Sequence, residues 1–253
     1  MDVGAPPFSL TGKTALVTGG NVGLGQAIAV ALAEAGADIV SVSRRGAPET
    51  AAKVGALGRR FANVEADLAS ARSEEIIARS EQTLGSIDIL VNNAGIIRRA
   101  DADQFSEEDW DAVIDVNLKA AFFLAQAAGK RMLAKGGGKI INVASMLSFQ
   151  GGVRVASYTA AKSGLAGLTR LLANEWAARG VNVNAIAPGY MVTDNTTALR
   201  EDSKRNADIL ARIPAGRWGE PSDLAGAAIF LASRASDYVH GAIIPVDGGW
   251  LAR

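Results

Sequence analysis

The chain has 253 residues, and its 26 basic and 26 acidic side chains give a formal net charge of +0 at pH 7. Without a surplus of basic side chains, binding to nucleic acid is not expected. The chain contains no cysteine and one histidine, His240. Disulfides, thiolate catalysis and a zinc site of cysteine and histidine ligands are therefore excluded, and we expect no metal.

The N-terminal residues 1–10 contain two prolines and an acidic residue, but neither the basic start nor the apolar run of a signal peptide. Apolar runs such as residues 27–33 are far shorter than the roughly 20 residues that cross a bilayer. We therefore expect a soluble, cytoplasmic protein with no membrane partner.

Short runs rich in valine, isoleucine and leucine alternate with helical segments along the chain. Residues 13–18 are a predicted strand, followed by a predicted helix at 26–34 that stops at Gly36. Further predicted strands are 38–43, 61–66, 87–91, 139–143, 181–186 and 241–246. Strands that are apolar on both faces are typical of a parallel sheet covered by helices. We predict one α/β domain, residues 1–253, with a Rossmann-type doubly wound parallel sheet and helices on both faces.

Residues 190–217 follow one of these strands and are polar, with a helical pattern at 202–212. In doubly wound sheets, ligands bind beyond the carboxyl ends of the strands. Residues 190–217 are therefore predicted to form a lid over the substrate.

Three glycines mark the passage from the first strand into the first helix: Gly19, Gly23 and Gly25. Glycine there permits a tight turn, and lets a pyrophosphate approach the backbone at the positive end of the helix. An ordinary turn that needs glycine is the alternative. The spacing is GxxxGxG, which differs from the GxGxxG of most dinucleotide-binding dehydrogenases.

Tyr158 and Lys162 are one helical turn apart, and Ser145 lies thirteen residues before the tyrosine. A phenol with a pKa of about 10 is a poor proton shuttle near neutrality. A lysine on the same helix face can lower that pKa into a useful range. The pattern indicates carbonyl–alcohol redox chemistry, although an isolated pair of this kind can also be an exposed aromatic beside a solvated base.

Taken together, the motifs resemble the short-chain dehydrogenase/reductase family along nearly the whole chain. Residues 18–25 resemble its TGxxxGIG element, with Leu24 in place of the common isoleucine, and residues 92–95 match its NNAG element. Pro188 and Gly189 match its element near the nicotinamide. Four further residues fall in the order and approximate spacing of its catalytic tetrad: Asn117, Ser145, Tyr158 and Lys162.

The resemblance implies a role for each tetrad residue. Tyr158 would exchange a proton with the substrate oxygen while hydride passes to or from the nicotinamide, and Ser145 would orient that oxygen. Lys162 would bind the nicotinamide ribose and lower the pKa of the tyrosine. Asn117 would anchor a water that connects Lys162 to solvent, although it could equally be a polar residue that kinks a helix.

The resemblance also implies the cofactor site. Asp67 would meet the adenine, although an aspartate there also fits a helix N-cap. The expected cofactor residues are Gly19, Asn21, Gly23, Leu24, Gly25, Ser43, Arg44, Asp67, Leu68, Asn93, Ala94, Gly95, Tyr158, Lys162, Pro188, Gly189, Met191, Val192 and Thr193.

The choice between NAD and NADP depends on the end of the second strand, which reads Ser43-Arg44-Arg45. An acidic residue there selects NAD, whereas an arginine can bind the 2′-phosphate of NADP. Local electrostatics therefore favours NADP, but the family comparison favours NAD. We expect either cofactor, with a slight preference for NAD, since Arg44 could also stack on adenine or face solvent.

Residues 97–99, 144–158, 187–196 and 246–253 are similar to a branch of the family that acts on keto sugar acids in bacterial hexuronate and pectin breakdown. A sugar acid needs a cation for its carboxylate, and arginine binds a carboxylate with two hydrogen bonds. Arg154 is the preferred ligand because it lies between Ser145 and Tyr158. The candidate substrate residues are Ser145, Gln150, Arg154, Arg98 and Arg99, although ordinary ion pairs could also account for the arginines.

Two other functions stay open. A 3-oxoacyl reductase acting on a carrier-protein thioester would use the same chemistry. A non-catalytic dinucleotide sensor or structural subunit could share the fold, but would not need Ser145 and Tyr158 together. Family members commonly form homotetramers through the helices that carry Asn117 and Tyr158, and the apolar tail at Trp250 and Leu251 suits burial in an interface. We therefore expect a homotetramer.

Overall fold

The structure is a computed structural model that describes residues 6–252. The first five residues of the segment expected to lack a signal peptide, and Arg253, lie outside the described residues. The strands are Thr14–Thr18 (β1), Asp38–Ser43 (β2), Phe61–Glu65 (β3), Ile89–Asn92 (β4), Gly138–Val143 (β5), Val181–Pro188 (β6) and Ile243–Val246 (β7). The α-helices are Gly23–Glu34 (α1), Pro48–Ala56 (α2), Ser73–Leu84 (α3), Glu107–Ile114 (α4), Ala120–Lys135 (α5), Ala156–Trp176 (α6), Thr197–Glu201 (α7), Ser203–Leu210 (α8) and Ala225–Ala232 (α9).

The seven strands of residues 6–252 form one sheet, in the order β3-β2-β1-β4-β5-β6-β7. Every neighbouring pair is parallel. The chain winds outward in one direction from β1 to β3 and then in the other from β4 to β7, so the winding reverses between β1 and β4. The predicted doubly wound parallel sheet is confirmed, and the reversal opens a crevice at the carboxyl ends of these two strands.

The strands are apolar on both faces because each face is covered by helices. Along β1, Ala15 and Val17 pack in one core with Ile28 of α1 and Leu231 of α9. The intervening Leu16 joins the opposite core. That second core contains apolar side chains of α3, α5 and α6. Successive side chains along a strand point to opposite faces of the sheet. Both sets therefore have to be apolar, which is the pattern in the sequence.

Two strands, β4 and β7, start two residues later than predicted. β4 begins at Ile89, although the backbone of the preceding Asp88 still bonds to Thr14 and Lys139, and its carboxylate accepts from the Thr14 N–H at 3.0 Å. β7 begins at Ile243 because Gly241 has a φ of +70°, which is incompatible with a strand.

The helical stretch Glu107–Lys135 is long and apolar enough to cross a membrane by length and composition alone. Half of its most apolar window, 50%, is buried inside the fold. Leu124, Ala128 and Met132 of this stretch pack in the core under the sheet. Packing against the sheet accounts for the apolar composition.

Candidate active site

A cavity of about 1410 Å³ lies at the carboxyl ends of the strands. It brings together predicted site residues that are up to 174 positions apart, from Gly19 in the β1–α1 turn to Thr193 after β6. Of the predicted site residues, all of which are described, Asn117 alone is not on the cavity wall. The residues predicted from the sequence therefore come together at one place in the fold.

The β1–α1 turn has the shape that a pyrophosphate requires. Gly19 and Gly23 have φ angles of +65° and +55°, and a Cβ on Gly25 would collide with the carbonyl oxygen of Gly19. Among the described residues, no side chain caps the start of α1. The first N–H groups of the helix therefore remain available to an anion, and the turn fits a dinucleotide.

Asn93 holds this turn in place. Its side-chain amide donates to the Thr18 carbonyl at 2.9 Å. The hydroxyl of Thr18 accepts from the backbone N–H groups of Asn93 and Ala94, each at 3.0 Å. These bonds join the carboxyl ends of β1 and β4. The side-chain amide of Asn93 therefore donates to the protein backbone, to the Thr18 carbonyl.

At the adenosine end, Asp67 accepts a hydrogen bond from the Ala69 N–H at 3.0 Å. This aspartate caps a turn that precedes α3, which begins only at Ser73, so the helix N-cap interpretation is wrong in detail. The hydroxyl of Ser43 donates to the Arg45 carbonyl at 2.6 Å and fixes the end of β2. Arg44 and Arg45 are exposed at the cavity.

Ser145 follows β5 and begins a short 3-10 turn, Met146–Ser148. Two hydroxyls fasten this turn to α6. Ser148 donates to the Lys162 carbonyl at 2.7 Å, and Ser163 donates to the Leu147 carbonyl at 3.0 Å. The carboxyl end of β5 and the N-terminal part of α6 are therefore held in one arrangement, which places Ser145 near Tyr158.

Tyr158 has a raised pKa because burial of the phenol outweighs the opposing effects of the Ser145 hydroxyl and the positive charge of Arg99. The sequence predicts the opposite direction, a pKa of Tyr158 lowered by Lys162. In the structure the Lys162 ammonium lies 5.6 Å from the phenol ring centroid and donates to the Val143 carbonyl at 2.6 Å. A phenol that stays protonated near neutrality is suited to donate a proton to a carbonyl oxygen.

Lys162 is on the same face of α6 as Tyr158, and only 3% of it is exposed. Burial lowers the pKa of this lysine to about 8. Lys162 is thus a buried base that changes its charge near the working pH of many enzymes.

Asn117 lies in a π-helical turn, Asp115–Lys119, between α4 and α5. Its amide oxygen accepts from the Ile96 N–H at 2.8 Å, and its amide nitrogen donates to the Ile96 carbonyl at 2.9 Å. The residue therefore interrupts the helix and fixes the segment after the NNAG element, which is its predicted structural role.

The three candidate arginines have different partners in the structure. Arg154 forms an ion pair with Asp101 at 3.1 Å, and Arg98 forms one with Asp109 at 3.0 Å. Arg99 donates to the Asn195 carbonyl at 3.2 Å, and its charge acts on Tyr158. The preferred carboxylate ligand, Arg154, is therefore already paired with a carboxylate, whereas Arg99 has no carboxylate partner among the described ion pairs and its charge reaches Tyr158.

Several wall residues were missed in the sequence because no motif marks them. They come from the predicted lid and the tail: Tyr190, Asp202, Arg205, Arg212 and Trp250. The lid region contains α7 and α8, and α8 corresponds to the predicted helical pattern. Trp250 is 3% exposed within a single chain, so the expectation that it forms apolar interface surface is wrong.

A doubly wound sheet with a glycine turn at its switch point, and with Ser145, Tyr158 and Lys162 at the carboxyl edge, defines an NAD(P)-dependent oxidoreductase. Residues 19–251 match the family model described as enoyl-(acyl carrier protein) reductase. The chain belongs to the short-chain dehydrogenase/reductase family.

The chain is 61% identical over 248 residues to 2-dehydro-3-deoxy-D-gluconate 5-dehydrogenase of Escherichia coli K12, covering 97% of this chain and 98% of the relative. A crystal structure from Agrobacterium tumefaciens with bound NADP, proposed in its name to be a 2-deoxy-D-gluconate 3-dehydrogenase, is 61% identical with a TM-score of 0.93, covering 98% and 100%. A gluconate 5-dehydrogenase from Burkholderia cenocepacia in complex with NADP and tartrate is 42% identical with a TM-score of 0.93, covering 98% of each chain.

Proposed function

We propose that the protein is a 2-dehydro-3-deoxy-D-gluconate 5-dehydrogenase, which transfers hydride between NAD(P) and a keto or hydroxy sugar acid. The observation that carries the substrate class is the place of Arg99 on the wall of the cavity that also holds Tyr158, where its positive charge acts to lower the pKa of the phenol. A guanidinium at this place suits a carboxylate close to the reacting carbon. The names of the similar proteins support the same substrate class.

The chain's own residues handle the proton and the orientation of the substrate. When bound, the nicotinamide supplies or accepts the hydride. In reduction Tyr158 donates its proton to the carbonyl oxygen, which Ser145 holds by a hydrogen bond, and in oxidation the phenolate takes that proton back. The β1–α1 turn would hold the pyrophosphate, Asp67 the adenosine end, and Lys162 the nicotinamide ribose.

The decisive experiment follows absorbance of the reduced nicotinamide with purified protein. 2-Dehydro-3-deoxy-D-gluconate and a 3-oxoacyl thioester are offered separately, each with NAD(H) and NADP(H). Turnover of the sugar acid supports the proposal. Turnover of the thioester alone would favour a 3-oxoacyl reductase acting on a carrier-protein thioester. Tight dinucleotide binding with no turnover of either would favour a sensor.

The matched control is Tyr158→Phe, which removes one hydroxyl and leaves the ring. We expect turnover to be lost, because no other group in this arrangement exchanges the proton with the substrate oxygen. Cofactor binding, measured by nicotinamide fluorescence, is expected to be retained. Turnover at the wild-type rate would contradict the assignment of Tyr158.

The cofactor preference is set at the end of β2. The exposed Arg44 and Arg45 favour the 2′-phosphate of NADP on electrostatic grounds, while the family resemblance favours NAD slightly. The ratio of kcat/KM for the two cofactors measures the preference. If kcat/KM with NADP is well above kcat/KM with NAD, Arg44 is assigned to the 2′-phosphate. If it is well below, Arg44 stacks on adenine or faces solvent.

The cellular setting is proposed from the names of the relatives and from the resemblance. The enzyme would act in the cytoplasm, in hexuronate and pectin breakdown, as a homotetramer. Residues 190–217 would close over the substrate, since Ala198 and Leu199 of α7 and Arg205 of α8 line the cavity.

A further inference from the structure

The side chain of Gln150 has one end fixed by a tryptophan. Gln150 lies between Ser145 and Tyr158 in the sequence and lines the same cavity. The indole Nε1–H of Trp250 donates to the Gln150 side-chain oxygen at 3.2 Å. An indole N–H can only donate, so it determines which way the amide faces. The oxygen has to face Trp250, and the amide nitrogen has to point the other way.

The amide nitrogen of Gln150 is unused within the protein. Across residues 6–252, none of the hydrogen bonds that the side chain makes involves this nitrogen. Gln150 is only half-buried, so the nitrogen keeps its access to the cavity. The site therefore contains an oriented N–H donor whose direction cannot reverse without leaving the indole unpaired.

Trp250 is itself held from several sides. The Arg212 guanidinium lies 3.9 Å from the centroid of the Trp250 ring, and the Tyr190 ring lies at a centroid distance of 4.8 Å. The Asp247 carboxylate accepts from the N–H groups of Gly249 and Leu251, each at 2.9 Å, which fixes the turn on either side of the tryptophan. These neighbours fix the ring of Trp250, and its N–H is held towards Gln150.

We propose that Gln150 is a specificity-determining residue and that Trp250 is the positioning residue that sets its direction. Gln150 donates an N–H to an oxygen of the sugar acid other than the one that exchanges a proton with Tyr158. A hydroxyl or carboxylate oxygen can accept this bond, whereas the apolar chain of a 3-oxoacyl thioester cannot. The inference rests on the proposed sugar acid function and extends it to the part of the substrate remote from the reacting carbon.

The test is a double-mutant cycle with Trp250→Phe and Gln150→Leu. Trp250→Phe keeps an aromatic ring beneath Arg212 and removes the N–H together with one ring of the indole. We expect it to raise KM for the sugar acid by about 2- to 12-fold, the range of one neutral hydrogen bond, with kcat little changed. In the Gln150→Leu background the same change should have no further effect, because Trp250 acts only through the amide.

A third variant, Gln150→Glu, covers the case in which Trp250→Phe fails to fold. The carboxylate still accepts from the indole, but the end that faces the cavity no longer donates and is negative. We expect kcat/KM for the sugar acid to fall further than in Gln150→Leu, with nicotinamide binding and the melting temperature unchanged.

The outcomes separate the two proposals. A wild-type enzyme that does not turn over the sugar acid overturns the proposed function and the inference with it, before any variant is compared. If the wild type is active, unchanged KM in Gln150→Leu and Gln150→Glu overturns the inference alone. Losses that multiply in the double variant would show that Trp250 acts independently of Gln150, and would overturn its positioning role.

Discussion

Lys162 shows how burial of a single residue connects pH to stability. Its pKa is lowered by burial to about 8, whereas the unfolded chain keeps the ordinary value of 10.5. Between these values the unfolded chain binds more protons than the folded one, so this residue makes the folded state more stable as pH rises. Below pH 8 the full cost of burying the amine is present.

We therefore expect the difference in unfolding free energy between Lys162→Met and wild type to depend on pH. The variant avoids the cost of the buried amine, so its advantage should shrink by about 3 kcal/mol between pH 8 and 10.5. Urea titrations at one protein concentration and several pH values measure this. A difference that stays constant across this window would show that Lys162 has an ordinary pKa in the folded protein.

Arg99 and Arg154 form a matched pair for the substrate carboxylate. Arg99→Leu is expected to lower kcat/KM for the sugar acid about 10- to 150-fold, since a hydrogen bond to a charged group contributes about 1.5–3 kcal/mol. Arg154→Leu removes an exposed ion pair with Asp101 and should change kcat/KM less than about 5-fold, as exposed pairs contribute little. Steady-state kinetics with both variants shows which arginine binds the carboxylate. A larger loss of kcat/KM in Arg154→Leu than in Arg99→Leu would identify Arg154 as the ligand.

Single residues could be recognised in the sequence where the chemistry is local. The tyrosine and lysine of α6 are four residues apart, so their shared helix face follows from helix geometry. The partners of the arginines could not be predicted, because Arg98 pairs with Asp109 only once α4 folds beside the loop that carries it. For the same reason the sequence identifies Trp250 only as part of an apolar tail, since its contact with Gln150 spans 100 residues.

At the scale of elements, the close packing of α5 on α6 depends on a glycine. A Cβ on Gly129 would lie 2.6 Å from two ring atoms of Trp176. We expect Gly129→Ala to destabilise the protein by about 1–3 kcal/mol, since the buried indole has little room to shift. Urea unfolding followed by far-UV circular dichroism provides the measurement.

The control for this substitution is Gly55→Ala in α2, where the new methyl group would have no neighbour within 4 Å among the described residues. An exposed helical glycine changed to alanine should stabilise by roughly 0.5–1 kcal/mol. Equal effects of the two changes would mean that helix propensity, and not the contact with Trp176, decides the result at Gly129.

The strands were predictable because a parallel sheet covered on both faces requires runs that are apolar throughout. The family and fold expected from those runs and motifs are confirmed. The break between α4 and α5 was not predictable in detail. The π turn at Asn117 depends on hydrogen bonds to Ile96, and no local pattern in the sequence encodes this contact.

At the scale of the whole molecule, the helices that cover one face of the sheet carry exposed apolar side chains. Large apolar side chains are exposed on three helices of one face: Trp110 of α4, Phe123 of α5 and Leu171 of α6, with 41%, 45% and 45% exposure. These are the helices through which the family resemblance implies assembly. Exposed apolar side chains that share one face favour contact with another protein surface.

We therefore expect light scattering after size exclusion to give four times the chain mass of 26.1 kDa. Phe123→Lys should shift the protein towards smaller species, because a charged side chain would be buried without a partner. The control is Leu57→Lys at the end of α2, which is 41% exposed and lies on the opposite face of the sheet, and which should leave the mass unchanged. A wild-type monomer would contradict the proposed tetramer. It would also mean that a single chain, with Trp250 already buried against Arg212 and Tyr190, forms a complete substrate site.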